Sequence, residues 1–272
     1  MQLPIALVQL DATSDVDANI ERAASLTAEA ASRGARLVVL PEYLQYRGGD
    51  AGYLASARPI PGPFTDAFAE VARRHDAWVL VGSLAETSDE AARPYNTSVL
   101  VGPDGSVVAT YRKIHLFDVA VDAGPVDTES ARVTGGSEPV VAAVDGIKVG
   151  MSVCYDLRFP ELYRSLALAG AEILTVPANF TERTGRDHWE VLLRARAIEN
   201  SAWVLAPGQA GGPPGQPAFG RSMVIDPWGT VVAQAPDGVG IIRADIDMDR
   251  VAVVRRQIPS LANRRPEAYR LD

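Results

Sequence analysis

The chain has 272 residues, 47% hydrophobic and 22% charged, which is globular composition, neither disordered nor fibrous. Its formal net charge of −8 argues against nucleic acid as the main partner, because phosphate binding wants a basic face. A single cysteine rules out a disulfide framework or a cysteine-rich metal site and suits a reducing cytoplasm. Met1-Gln2-Leu3-Pro4 runs straight into an apolar strand without a signal-peptide pattern. No apolar run reaches the ~18–20 residues of a membrane span, so a soluble cytoplasmic protein is expected.

Ile5–Leu10 reads as a buried strand, and Ser14 reads as the N-cap of a helix whose apolar face is Val16, Ile20, Ala23, Ala24 and Ala31. Gly34 stops that helix, and Leu37–Leu40 forms a short strand ending at Pro41-Glu42. A helix from about Thr65 to Arg74 is followed by a strand over Trp78–Glu86. Asn96–Val101 and Ser106–Arg112 flank Gly102-Pro103-Asp104-Gly105, the pattern of a β-hairpin. A turn-rich stretch runs from Leu116 to about Gly136.

The second half repeats the theme. Val140–Val144 and Ile147–Val153 form a hairpin around Asp145-Gly146. Pro160 opens a helix that Gly170 closes. Ile173–Val176 is a strand, and Trp189, Leu192, Leu193 and Ala197 mark an amphipathic helix ending near Asn200. Trp203–Ala206, Ser222–Ile225, Thr230–Gln234 and Ile241–Asp245 are further strands; Gly211–Pro217 is a surface loop. The Arg-rich tail after Ile258 is expected on the surface or against a partner subunit. No segment has linker composition, so residues 1–272 read as one α/β domain. Two mixed sheets, each covered by helices on its outer face, would bury these strands.

Cys154 ends a strand just before a helix, where a side chain points into open space and backbone N–H groups can bind an oxyanion. That position suits a nucleophile, although a lone cysteine is as often a small buried hydrophobe. Its base is either a histidine, His115 or His188, or Glu42 at the end of a strand, where ligand sites of α/β sheets collect. His75, at a helix end, reads as solvent-facing. Lys113 also sits at a strand end, where an ammonium can stabilise an oxyanion. His188 and Glu190 do not form a zinc motif, and no phosphate loop or Gly-x-Gly-x-x-Gly follows a strand.

Leu40-Pro41-Glu42, Tyr111-Arg112-Lys113-Ile114-His115 and Val153-Cys154-Tyr155-Asp156-Leu157-Arg158-Phe159-Pro160 resemble the three catalytic motifs of the nitrilase, or carbon–nitrogen hydrolase, superfamily, in that family's order. The resemblance continues through His188-Trp189-Glu190 and Asp226-Pro227-Trp228-Gly229 and covers essentially the whole chain. It implies a four-layer α-β-β-α sandwich that associates as a homodimer or higher homo-oligomer. It implies Glu42 as general base, Lys113 as oxyanion stabiliser and Cys154 as nucleophile. Glu129 would orient Lys113 or relay a proton, and the Tyr155 N–H would join the oxyanion site. No metal or organic cofactor is implied.

Within the superfamily the motifs look most like the Nit-type amidases, the ω-amidases and deaminated-glutathione amidases. By that resemblance Arg158, Phe180 and Thr184 line the pocket, with Arg158 placed to pair a substrate carboxylate. The alternatives are an N-carbamoyl amino acid hydrolase, a nitrilase, or a non-catalytic binding protein on the same fold. The chain departs from the branch at Asn179, at Arg183 and Arg186, and at Phe219-Gly220-Arg221-Ser222-Met223. The loop Asp122–Glu129 lacks the usual Ile-Pro-Gly.

Overall fold

The computed structural model describes residues 1–89, 93–121, 126–213, 215 and 217–268. The first half contributes β1 (Gln2–Gln9), α1 (Val16–Ser32), β2 (Leu37–Val39), α2 (Asp50–Ala55), α3 (Pro63–His75), β3 (Trp78–Glu86), β4 (Tyr95–Val101), β5 (Val107–Arg112), β6 (Asp118–Ala120) and β7 (Val126–Thr128). The second half supplies β8 (Val140–Val144), β9 (Ile147–Met151), α4 (Pro160–Leu168), β10 (Ile173–Thr175), α5 (Glu182–Asn200), β11 (Trp203–Ala206), β12 (Ala210–Gly211), β13 (Ala218–Phe219), β14 (Met223–Ile225), β15 (Val231–Gln234), β16 (Gly240–Asp247) and α6 (Asp249–Gln257).

Two six-stranded sheets form, ordered β16-β1-β2-β3-β4-β5 and β8-β9-β10-β11-β14-β15. Both follow one pattern: an antiparallel pair, two parallel pairs, then two antiparallel pairs. The strand that completes the first sheet, β16, is the last strand in the chain order and pairs with β1 along its whole length.

Alternation along β1 shows why the sheets stack. Leu3, Ile5 and Leu7 belong to one buried cluster with Val149, Met151 and Val204 of the second sheet. Ala6 and Val8 point the other way, into a cluster with Ala23 and Ala30 of α1 and Phe68 and Ala72 of α3. A strand with both faces buried has helices on one side and a sheet on the other. On the second sheet Leu162 and Leu166 of α4 and Trp189 and Leu193 of α5 supply the outer cover. The result is the expected α-β-β-α sandwich.

Some elements differ from the sequence expectation. Asp15, not Ser14, caps α1; its carboxylate accepts the Ala18 N–H at 3.1 Å. The turn-rich stretch holds a small antiparallel hairpin, β6–β7, and residues 122–125 of the loop noted above lie outside the described residues. The loop Gly211–Pro217 begins in the two-stranded β12–β13 ladder, with residues 214 and 216 outside the description. Helices α2 and α6 have weak apolar periodicity over 6 and 9 residues, too short to stand out from loop sequence. The tail beyond Ile258 is largely exposed as far as residue 268. No helix among the described residues is long and apolar enough to cross a membrane.

Candidate active site

The ends of β2, β5 and β9 converge where the two sheets meet. Glu42 follows β2 by three residues, and the chain turns sharply at Tyr43, whose φ is 54°. Gly82 of β3 makes room for this turn: a Cβ there would sit 1.9 Å from the Leu40 carbonyl oxygen. Lys113 directly follows β5, its N–H donating to the Asn96 carbonyl at 2.9 Å. Beyond β9 the chain enters a short 3₁₀ turn, Cys154–Arg158, and Cys154 takes φ 49°. Such a conformation costs a non-glycine residue about 1–3 kcal/mol and persists only where its surroundings impose it.

Asp156 is one source of that constraint. It is fully buried, and its Oδ2 accepts the Val153 N–H at 2.8 Å and the Tyr111 hydroxyl at 2.7 Å. Its Oδ1 accepts the His115 backbone N–H at 3.1 Å and lies 2.7 Å from His115 Nδ1. One carboxylate thus ties the cysteine turn to the segment carrying Lys113. The Cys154 N–H donates to the Pro177 carbonyl at 2.9 Å, fixing the other side of the turn.

Glu42, Lys113 and Glu129 are each about 1% exposed. Lys113 Nζ donates to Glu42 Oε1 at 3.1 Å and to Glu129 Oε2 at 2.8 Å. An ammonium has three N–H donors, so one remains for a substrate oxygen. Glu42 Oε2 accepts the Asn179 N–H at 2.7 Å, and its carboxylate shares the cavity wall with Cys154. Glu129 Oε2 accepts the Phe117 N–H at 2.6 Å, and its Oε1 accepts the Tyr43 hydroxyl. Asn96 Nδ2 spans both acids, at 3.0 Å from Glu42 and 3.4 Å from Glu129.

Burial disfavours the Lys113 ammonium, but Glu129 and Glu42 outweigh it and hold its pKa well above the ordinary value. Burial likewise opposes the Glu129 carboxylate, yet Lys113, Tyr43 and the Phe117 N–H pull its pKa down. Burial first, and then the negative Glu42, push the Cys154 thiol well up, only partly offset by Lys113. These directions favour the Glu129 carboxylate, the Lys113 ammonium and a neutral Cys154 thiol at rest.

Because Glu129 is depressed, its contribution to stability is full above the ordinary carboxylate value of about 4.5 and is lost as pH falls through the folded value. Tyr43→Phe removes one charge-assisted donor, worth roughly 1.5–3 kcal/mol. The variant is expected to lose about that much at pH 7 and to unfold at higher pH than wild type on acidification. Urea midpoints measured from pH 7 to pH 3 check both; identical acid limbs would contradict the assignment.

These groups open into a cavity of about 1020 Å³. Glu42, Lys113, Glu129, Cys154, Tyr155, Phe180 and Thr184 line it, whereas Arg158 does not. Arg158 stacks instead over Phe180 and Tyr155, 5.4 and 5.9 Å from their ring centres, with its guanidinium 3.4 Å from His188 Nδ1. His75, His115 and His188 are not among the lining residues, whereas Glu42 and Lys113 are. The Tyr155 N–H lies in the first turn of its short helix, where N–H groups have no intrahelical acceptor. Among the described residues no group of three or more His, Cys, Asp or Glu could hold a metal ion.

Sequence reasoning did not single out Tyr43, Asn96 or Asp156 for the site. Tyr43 and Asn96 carry no local signal, because their roles arise only when β2, β4 and the Glu129 segment meet.

A strained cysteine buried beside a carboxylate and an ammonium, at the base of an open cavity, is the equipment of a nucleophilic hydrolase. The carbon-nitrogen hydrolase family matches residues 4–256. The human deaminated glutathione amidase is 41% identical over 275 residues, covering 98% of this chain and 84% of the relative. The mouse omega-amidase NIT2 is 38% identical over 269 residues, covering 98% and 97%. The crystal structure of the Caenorhabditis elegans NitFhit protein superposes with a TM-score of 0.93 at 35% identity, covering 99% of this chain and 66% of that one. The chain belongs to the carbon–nitrogen hydrolase family.

Proposed function

We propose that the protein is an amidase that hydrolyses the amide of a small carboxylate-bearing compound through a Cys154 thioester, releasing ammonia. The observation that carries this reading is the buried ion pair of Glu42 with Lys113 at 3.1 Å, on the cavity wall that also holds Cys154. Glu42 takes the thiol proton as sulfur attacks the amide carbon. The third Lys113 N–H and the Tyr155 N–H hold the oxyanion that forms. Glu42 returns the proton to nitrogen, the C–N bond breaks and ammonia leaves. Glu42 then deprotonates water, which attacks the thioester; the C–S bond breaks and the thiol is reprotonated. Glu129 holds Lys113 in place, and no step calls on a metal or organic cofactor.

The whole chain is read as one catalytic domain, since strands from both halves supply the site. Exposed Leu168, Val191 and Ile198 on α4 and α5 support association with a second copy through the helices beside the nucleophile. A lone free cysteine supports a reducing, cytoplasmic setting.

The test is hydrolysis of a panel, read as ammonia from α-ketoglutaramate, N-carbamoyl amino acids, simple amides and a nitrile, and as the freed cysteinylglycine amine from deaminated glutathione. Turnover of carboxylate-bearing amides, in preference to the rest, is the expected result. Carbon dioxide released with ammonia would point to carbamoyl hydrolysis, and turnover of the nitrile alone to a nitrilase.

A further inference from the structure

We infer that Arg183 is a specificity-determining residue that takes a carboxylate remote from the scissile amide. The substrate is then an extended amide with an anionic far end. The inference rests on the amidase reading above and adds a residue and a substrate feature to it.

The charges that line the cavity are almost all matched. Lys113 lies between Glu42 and Glu129. Arg132 pairs with Asp127 at 2.6 Å and with Asp50 at 3.2 Å. Arg47 contacts Asp11 at 3.2 Å and donates to the carbonyls of Ala210 and Gly211. Arg186 is paired with Glu182. Arg183 also lines the cavity, is exposed, and has neither an ion pair nor a hydrogen bond among the described residues. Asp187, one turn along α5, is the one lining acid likewise left without an ion pair among them, and no bond joins it to Arg183.

The position of Arg183 adds a second, independent argument. It lies in the first turn of α5, just after the N-cap Thr181. That end of a 19-residue helix is its positive pole, where a cation is unfavourable. Helix stability therefore gives no reason for an arginine there, whereas Glu182 beside it fits the dipole. An anion received at this point gains from the helix N-terminus and the guanidinium together.

Chain geometry limits how far this carboxylate stands from the reacting centre. The Asn179 N–H touches Glu42, and Arg183 is four residues on, so their Cα atoms are at most about 14 Å apart. The cavity, at about 1020 Å³, lies at the upper end of the range for small-molecule pockets. It has room for more than a short keto-acid amide. Arg158, outside the cavity wall, is not placed to do the same task.

The experiment uses a matched pair: an ω-carbamoyl acid joined through an amide bond to glycine, and the methyl ester of the same compound. KM and kcat for ammonia release are measured with wild type, Arg183→Gln and Arg183→Lys. Binding of both compounds to the Cys154→Ala protein, with and without Arg183→Gln, is read by calorimetry. Losing a bidentate carboxylate partner is expected to raise KM for the acid roughly tenfold or more, with a far smaller effect on kcat and on the ester. Arg183→Lys should recover part of the loss. The acid-to-ester binding ratio should fall in parallel. A ratio unchanged by Arg183→Gln, in kinetics and calorimetry alike, overturns the inference. If neither ammonia nor glycine appears from either compound, the amidase reading falls for this class of amide, and the calorimetric ratio still decides the role of Arg183.

Discussion

Cys154→Ala is expected to abolish ammonia release, a loss on the order of 10⁴-fold or more, while the protein stays folded. No neighbouring group can take over. The only cysteine is Cys154, and the nearby acids are already committed to Lys113. The stability of this variant carries separate information, because Cys154 sits at φ 49°. Alanine keeps the strain of that conformation; glycine removes it, about 1–2 kcal/mol, but adds unfolded-chain entropy of roughly 0.5–1 kcal/mol. Cys154→Gly should therefore unfold at the same urea concentration as Cys154→Ala or at a higher one, even though glycine substitutions elsewhere destabilise. Ammonia release retained by the alanine variant would remove Cys154 from the mechanism. A glycine variant clearly less stable than the alanine one would remove the strain.

The fold was legible where burial is two-sided. Runs such as Leu37–Leu40 and Trp203–Ala206 are uninterrupted apolar segments, which only a strand covered on both faces requires. The antiparallel hairpins were legible through their turns, since Asp145-Gly146 forms one with residue-by-residue register between β8 and β9. What stayed hidden is long-range and polar. Asp15 displaced Ser14 as the cap of α1 because its side chain reaches the Ala18 N–H, a choice between adjacent residues that composition cannot make. Asp156 shows the same limit within the site. It follows Cys154 by two residues in a recognisable motif, yet its four contacts lie on Val153, Tyr111 and His115. Arg158 shows the reverse case: the motif implied a carboxylate clamp, whereas its guanidinium lies over Phe180 and Tyr155 and is not among the lining residues. Strand ends name the reactive side chains; packing alone decides which way the flexible ones turn.

Lys113→Met is the second large effect, and it separates the electrostatic role of the lysine from its bulk. Methionine roughly conserves volume, so the change removes a charge without opening a cavity. It leaves Glu42 and Glu129 buried, linked by Asn96 at 3.0 and 3.4 Å, with no cation between them. Breaking a buried pair in this way costs about 3–5 kcal/mol. Two carboxylates so placed cannot both remain ionised, so one takes a proton and its pKa rises. The stability deficit should therefore be greatest near pH 8 and shrink as pH falls, because acid protonates in both proteins the groups that only wild type holds as a pair. Activity should fall on the order of 10²–10³-fold, the usual cost of losing one oxyanion donor. The remaining activity should need higher pH, since Glu42 must be ionised to accept the thiol proton. Urea unfolding at pH 5 and pH 8, with pH profiles of kcat/KM, tests each part. A deficit of equal size at both pH values would show that Lys113 acts through packing and not through its charge.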